Sequence, residues 1–400
     1  MTATAARGVV VGALPLSRFC GGHFFFVRGG DAKRTCLAVH TTYQFSQARG
    51  KRQRLREHGL WTLDDDAYYE GRDVPGCEGF VMASPEDAPP RALLASGLYF
   101  WVPRARVSFC SLRPSPLAFN PDTPRRLRLR LTPFDSITPK SITINTPSAG
   151  VENHLAAAAW YRLAMRNLIA IGVALRRTPI MPELTCACDR YWGNVLPGCY
   201  IQGSDARPPF PRCPLDHVMN LPNMEAAGVT HREYSFLNNS RVSDTMRDPS
   251  NHAFVELNLD ADARNGSVPR VAGVTTRGAH HAMRRISLDA YPTDVEWVAA
   301  AGDAKEPVLV VSSAIASFCT FKKRTDAISF DARMAKALRA ESHFCRPGDG
   351  GPGSRSCEIG FEIPAGVADD ADCDALRRAW DEPSGSFRGR YARMSAHKDS

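Results

Sequence analysis

Between Glu183 and Val218 the chain gathers residues capable of chemistry at a density an ordinary core does not show. Four cysteines (Cys186, Cys188, Cys199, Cys213) are joined by the run Asp189-Arg190-Tyr191-Trp192 and the pair Asp216-His217. A carboxylate or imidazole there can take a proton from a hydroxyl or shield a developing positive charge, so Asp189, Asp216 and His217 are the candidate catalytic residues. Arg190, Tyr191 and Trp192 are candidate substrate-binding residues, the two aromatics by stacking on the face of a ring. The same residues have a structural reading: an Asp-Arg pair capping a turn, an Asp or His closing a helix N-terminus, and aromatics in the core. The cysteines allow three readings. With His217 they offer the thiolate and imidazole ligands zinc prefers, but one Cys-x-Cys is not the paired Cys-x2-Cys of common zinc modules. Disulfides suit an oxidising compartment and leave three pairings open. Free core thiols are the third reading.

Two further groups carry charge at useful spacing. Arg49 to Arg56 reads Arg-Gly-Lys-Arg-Gln-Arg-Leu-Arg. It is either a solvated helix face or a clamp in which Arg52, Arg54 and Arg56 present bidentate forks to a diphosphate or an acidic glycan. Asp64-Asp65-Asp66 and Asp260-Ala261-Asp262 have the Asp-x-Asp form. At the end of a strand such carboxylates supply hard oxygen ligands for a metal bridging two phosphates, so Asp64, Asp66, Asp260 and Asp262 are metal candidates. His280-His281 beside Arg284-Arg285 reads as a solvated loop.

The elements that must position these residues follow from hydrophobic periodicity. Leu155, Ala159, Leu163, Leu168, Ile171 and Leu175 recur close to every 3.6 residues, which predicts a helix over Ala156 to Arg177. Arg176 and Arg177 fall in its last turn, against the negative end of the dipole, and Pro179 stops it. Ile180 to Leu184 then reads as a buried parallel strand. This places Cys186 to Trp192 beyond its carboxyl end, where open α/β sheets bind ligands. His23 to Val27 and Leu37 to Phe45 read as strands, as do Ala95 to Val102, Val107 to Leu112 and the alternating Arg125 to Leu131. Pro-rich Thr132 to Pro147 reads as a linker. Ala253 to Leu259 and Val268 to Val274 read as strands, and β-branched Pro307 to Ser312 as one buried on both faces. Asp331 to Glu341 is predicted helical, Arg346 to Ser356 a flexible linker.

Composition sets the bounds. The 400 residues, 44% hydrophobic, can fill two or more domain cores. The formal charge of +8 rests on 50 basic residues, 42 of them arginine, and no nucleic-acid-binding module accompanies it. Twelve cysteines and the sequons at Asn238 and Asn265 point to the secretory lumen. No stretch approaches the roughly 20 apolar residues of a membrane span. Val9 to Leu16 is too short and too poorly preceded by charge for a signal peptide. Either the protein is cytosolic, or its targeting segment lies outside this chain.

Read in order, Gly22-His-Phe-Phe-Phe-Val27, Ala38-Val-His-Thr-Thr-Tyr-Gln-Phe45, Gly50-Lys-Arg-Gln-Arg-Leu-Arg-Glu57 with Leu60-Trp61, Tyr68-Tyr69, Arg177-Thr-Pro-Ile-Met-Pro182, Cys188-Asp-Arg-Tyr-Trp192 and Cys213-Pro-Leu-Asp-His217 resemble the plant and algal nucleotide-diphospho-sugar transferases of glycosyltransferase family 77, which includes the extensin arabinosyltransferases. The resemblance covers residues 20 to 235 and, more faintly, 307 to 345. It implies a Golgi-lumenal, retaining enzyme that moves arabinose or xylose from a UDP-sugar donor to a cell-wall glycoprotein or polysaccharide acceptor. It also implies manganese at an Asp-x-Asp motif, a GT-A-type fold, and membrane attachment through a segment absent from this chain. The family places its donor half ahead of the Phe-Phe-Val segment, which here begins near the start of the chain. The expected architecture is therefore α/β: a partial GT-A-like region over 1–145, an α/β domain with a mainly parallel sheet over 146–345, and a linker and tail over 346–400. Two functions are expected: a transferase with the three arginines at the donor diphosphate and Asp189, Asp216 and His217 at the acceptor, or a non-catalytic glycan-binding or scaffold protein lacking the donor site. A cytosolic zinc protein is a third.

Overall fold

The computed structural model describes residues 12–28, 35–42, 44, 46–85, 87, 147–188, 190–191, 194–195, 199–200, 207–258, 283–338, 340–342, 357–359 and 373. In chain order its elements are β1 (Phe19–Gly21), β2 (Ala38–His40), α1 (Gln47–Glu57), α2 (Asp66–Glu70), β3 (Phe80–Ala83), the long α3 (Pro147–Leu175), β4 (Thr178–Ile180), β5 (Leu184–Cys186), β6 (Arg190–Tyr191), β7 (Asn194–Val195) and β8 (Phe210–Cys213). There follow α4 (Leu221–Ala226), α5 (Asp244–Arg247), β9 (Ala253–Asn258), β10 (Arg284–Asp289), α6 (Asp294–Ala301), β11 (Val308–Val311), α7 (Arg324–Ala337), β12 (Ala340–Ser342) and β13 (Cys357–Ile359).

The centre is a five-stranded sheet in the order β10-β9-β11-β3-β4, every neighbouring pair parallel. This is the α/β architecture with a mainly parallel sheet that the sequence predicts, and it is consistent with a GT-A-like fold. β3 comes from before residue 145 and the other four strands from after it. Alternate residues point to opposite faces. Val81, Ala83, Val255, Leu257, Leu309 and Val311 join the larger core with Trp160, Met165, Leu168 and Ile171 of α3 and Trp297 of α6. Phe80, Ile180, Phe254, Val308 and Val310 join the smaller one with Tyr68, Tyr69 and Phe236. All four residues of β11 are buried, as its β-branched run predicts.

Several elements differ from expectation for identifiable reasons. Residues 23–28 form a π-helical turn rather than a strand. A strand would send Phe25 and Phe26 to opposite faces. Here both rings lie near His58, at 6.1 and 4.8 Å. The strand expected from Leu37 to Phe45 shortens to β2, paired with β1 and tied by the Cys20–Cys36 disulfide. α3 begins at Pro147, where the missing amide costs nothing because the first turn has no partner for it. Arg176 leaves α3 with φ 54° instead of completing the last turn. Arg177 turns inward and donates to the carbonyls of Ala304 and Glu306 at 2.7 and 2.8 Å, fastening the α3–β4 turn to the loop entering β11. The strand expected over Ile180 to Leu184 divides at Pro182, which has no amide for a ladder: β4 ends before it and β5 pairs antiparallel with β8 after it. The helix expected over Asp331 to Glu341 runs instead from Arg324 to Ala337, and Ala340–Ser342 is strand β12. The segments predicted over 95–102, 107–112, 125–131, 268–274 and 346–356, with His280 and His281, lie outside the described residues.

The entrance to β3 is the tightest joint in the sheet. Gly79 has φ 137°, and its carbonyl accepts the Thr178 amide at 2.9 Å. A Cβ built there would stand 2.7 Å from the Pro307 carbonyl oxygen. Gly79→Ala therefore carries both a forbidden backbone region and a clash with main chain, and is expected to lower stability by about 3 kcal/mol in urea unfolding. Gly228→Ala, with φ 67° but nothing within 4 Å, is expected to cost about 1 kcal/mol.

Candidate functional site

The charge run of α1 is half interior. Gly50, Gln53, Arg54 and Glu57, at spacings of three and four, form the buried stripe, while Lys51 and Arg52 face solvent. Arg54 meets Asp216 with both side chains at 0% exposure, Nε to Oδ1 at 3.1 Å. Its other nitrogens reach His217 Nδ1 at 3.2 Å and the Thr42 carbonyl at 3.4 Å, and the guanidinium sits 5.9 Å from the Phe26 ring centroid. Gly50 permits this approach: a Cβ there would lie 2.6 Å from Asp216 Oδ2. The structure thus brings together Arg54, Asp216 and His217, three residues singled out by sequence, but as an interior pair locking α1 to the turn after β8. Contact of Arg54 with a diphosphate, or of Asp216 with an acceptor hydroxyl, would need access that neither side chain has.

Glu57 completes this network. Its Oε1 accepts from the Leu215 amide and from Gln53 Nε2, each at 3.1 Å. Its Oε2 has no hydrogen-bond partner among the described residues. Burial, then the neighbouring Asp216 charge, push the Glu57 carboxyl up to about 8.

Arg56 forks onto Asp64, with Nε to Oδ2 at 2.8 Å and its terminal nitrogen to Oδ1 at 2.5 Å, and lies 4.3 Å from the Tyr68 ring centroid. The Trp61 indole also donates to Asp64, at 3.1 Å. Asp65 caps α2 by accepting the Tyr68 amide, and exposed Asp66 pairs with Arg241 at 2.8 Å. The triplet therefore closes a turn, and each carboxylate already has a partner. Asp64 and Asp66 do not fit a manganese site. Asp260 and Asp262 lie outside the described residues, two and four positions past Asn258 at the carboxyl end of β9. Among the described residues no group of three or more His, Cys, Asp or Glu is placed to hold a metal.

The cysteines resolve into disulfides: Cys186–Cys213 staples β5 to β8, and Cys188–Cys199 encloses the β6–β7 hairpin that carries Arg190 and Tyr191. This replaces the zinc and free-thiol readings, since the thiolates are consumed. Asp189 and Trp192 lie outside the described residues.

Sequence reading missed a cavity of about 390 Å³ beside the carboxyl ends of β3 and β4. Met82, Met181 and Met283 give it apolar walls; Asp87, Glu183, Tyr234 and His252 give it polar ones. The Ala314 amide donates to Asp87 Oδ2, and burial pushes the Asp87 carboxyl up to about 7. Burial holds His252 below its ordinary value, and its Nε2 lies 2.8 Å from the Met246 carbonyl, to which a neutral ring donates. The available signal was Ser84-Pro-Glu-Asp87 directly after the apolar Phe80-Val-Met-Ala83, a short strand followed by polar residues.

The chain is similar to the arabinosyltransferase XEG113 of Arabidopsis thaliana, with 30% identity over 266 residues, 64% of this chain and 31% of the relative. It thus spans about a third of the length of the relative it matches. An arabinosyltransferase as relative agrees with the motif resemblance. No family model matches, and no solved structure matches significantly.

Two outcomes follow from the buried network. Asp216→Ala leaves the Arg54 charge unpaired in the interior and is expected to cost about 3–5 kcal/mol in urea unfolding, while joint Arg54→Met and Asp216→Leu costs markedly less. Between the ordinary carboxyl value of 4.5 and about 8, folded Glu57 keeps a proton that the unfolded chain releases. Stability therefore falls as pH rises through that window, by up to about 1 kcal/mol per pH unit, and levels off above it. Glu57→Gln mimics the protonated form, so thermal unfolding from pH 5 to 9 should show a flatter profile for the variant and a higher midpoint than wild type at the alkaline end.

Proposed function

We propose that this chain is part of a retaining glycosyltransferase of the Golgi lumen that moves a pentose, arabinose or xylose, from a UDP-sugar to a cell-wall glycoprotein or polysaccharide. The observation that carries the reading is the 30% identity to an arabinosyltransferase over 266 residues. The parallel sheet, with a small-molecule cavity where such sheets bind ligands, supports it. The four disulfides among the described residues suit an oxidising lumen.

In this reading the acceptor hydroxyl oxygen forms the new bond to the anomeric carbon, the bond to the UDP oxygen breaks, and the hydroxyl proton passes to a base. Arg52, exposed on α1, and Arg190 and Tyr191 of β6 keep the substrate-binding roles together with Trp192, and Asp189 of the same motif keeps the catalytic one, as the base that takes the hydroxyl proton. Arg54, Arg56 and Asp216 act instead by holding α1 and its neighbours in place; His217 stays beside them. Manganese, where the donor requires it, is assigned to Asp260 and Asp262 by their position after β9, in preference to the engaged Asp64 and Asp66.

Calorimetric titration with uridine diphosphate, with and without manganese, tests this. Manganese-dependent binding is expected, lost in Asp260→Ala with Asp262→Ala and kept in Asp66→Ala. A folded sample that binds no uridine diphosphate under either condition would overturn the transferase assignment for this chain and leave a non-catalytic glycan-binding or scaffold module.

A further inference from the structure

The cavity beside β3 and β4 has a chemical character that the transferase reading does not specify. Among the described residues its ionisable lining consists of Asp87, Glu183, Tyr234, His252 and Arg247. Two of these are carboxyls. His252 is neutral, for the reason given above, and the Arg247 terminal nitrogen is paired with Asp244 on its own helix. A diphosphate needs convergent cations, a helix N-terminus or a metal. This wall instead presents an excess of carboxyl groups.

What the wall does supply is a mixture of donors and acceptors on an apolar frame. The Arg247 Nε is buried without a hydrogen-bond partner among the described residues. Asp87 is fixed through Oδ2 by the Ala314 amide. The Tyr234 hydroxyl adds a group that both donates and accepts. Around them Met82, Met181 and Met283 offer polarisable surface for ring C–H groups. Hydroxyls on a small ring both donate and accept, which matches such a set. The volume, about 390 Å³, falls within the roughly 300–1,000 Å³ of small-molecule sites.

We infer that this cavity binds an uncharged polyhydroxylated ring of the pentose class, and not the nucleotide diphosphate, with Asp87, Tyr234 and Arg247 hydrogen-bonding its hydroxyls. The inference rests on the transferase reading only for the choice of pentose. It makes the cavity a sugar subsite separate from the one that holds uridine diphosphate.

The test uses the full chain with 13C-methyl methionine, because three methionines line the cavity and report on it directly. L-arabinose at tens of millimolar is expected to shift the Met82, Met181 and Met283 methyl signals and leave Met165, buried in the larger core, in place. Uridine diphosphate is expected to leave all three cavity signals unmoved. Tyr234→Phe, which removes only a hydroxyl, should weaken the arabinose response several-fold, and Asp87→Ala at least as much, with the Met165 signal certifying the fold. Shifts of the cavity methyls by uridine diphosphate, or no shift by arabinose, would overturn the inference. The two readings fail separately: calorimetric uridine diphosphate binding with silent cavity methyls removes the sugar subsite alone, whereas an arabinose response without uridine diphosphate binding removes the donor site alone.

Discussion

A parallel sheet has no wet face, and most of this molecule can be understood as the consequence. All five central strands run the same way, so each return connection must cross over the sheet and cover it. α3 and α6 cover one side. On the other, the covering elements among the described residues are short: α2, the turn at Phe236 to Asn238, and α5. Short elements leave gaps where a long helix would not, and the 390 Å³ cavity lies on that side. The same constraint accounts for Arg177, which spans from the α3–β4 turn to the carbonyls before β11 and satisfies backbone groups at the closed end of the sheet.

The arginine content has a physical use here. Of 50 basic residues 42 are arginine, and several stack as well as pair. Arg232 lies 4.0 Å from the Tyr68 ring centroid, Arg241 4.1 Å from that of Tyr69, and Arg56 4.3 Å from that of Tyr68. Each of the three also meets an aspartate: Asp73, Asp66 and Asp64 respectively. A planar guanidinium does both at once, stacking with its face and hydrogen-bonding with its edge, whereas an ammonium group cannot. Composition by itself does not distinguish such a layer from a coding bias.

Legibility in the sequence followed the range of the interactions. β11 and the body of α3 were readable because a continuous β-branched run and a 3.6-residue period are local signals. The disulfide reading was available from cysteine number and compartment, but the pairing was not, since it depends on β5 meeting β8. Aromatic propensity in the Phe24 to Phe26 run favours a strand, whereas the π-helical turn brings Phe25 and Phe26 to His58, a contact more than thirty residues away that no local signal announces. The α1 charges were assigned a surface role for the same reason: nothing local announces that Asp216, 162 residues away, will draw Arg54 inside. The cavity escaped because its walls come from six separated stretches of chain.

The two disulfides of the motif region are concentric: Cys188–Cys199, spanning 11 residues, closes inside Cys186–Cys213, spanning 27. In a chain oxidised as it emerges, Cys199 appears before Cys213, and short loops close more readily than long ones. Among these four cysteines the pairing then turns on the selection of Cys188 over Cys186 by Cys199, which leaves Cys186 for Cys213. An order of synthesis that coincides with an order of enclosure lets the hairpin bearing Arg190 and Tyr191 be fenced off before the strand that frames it has been made.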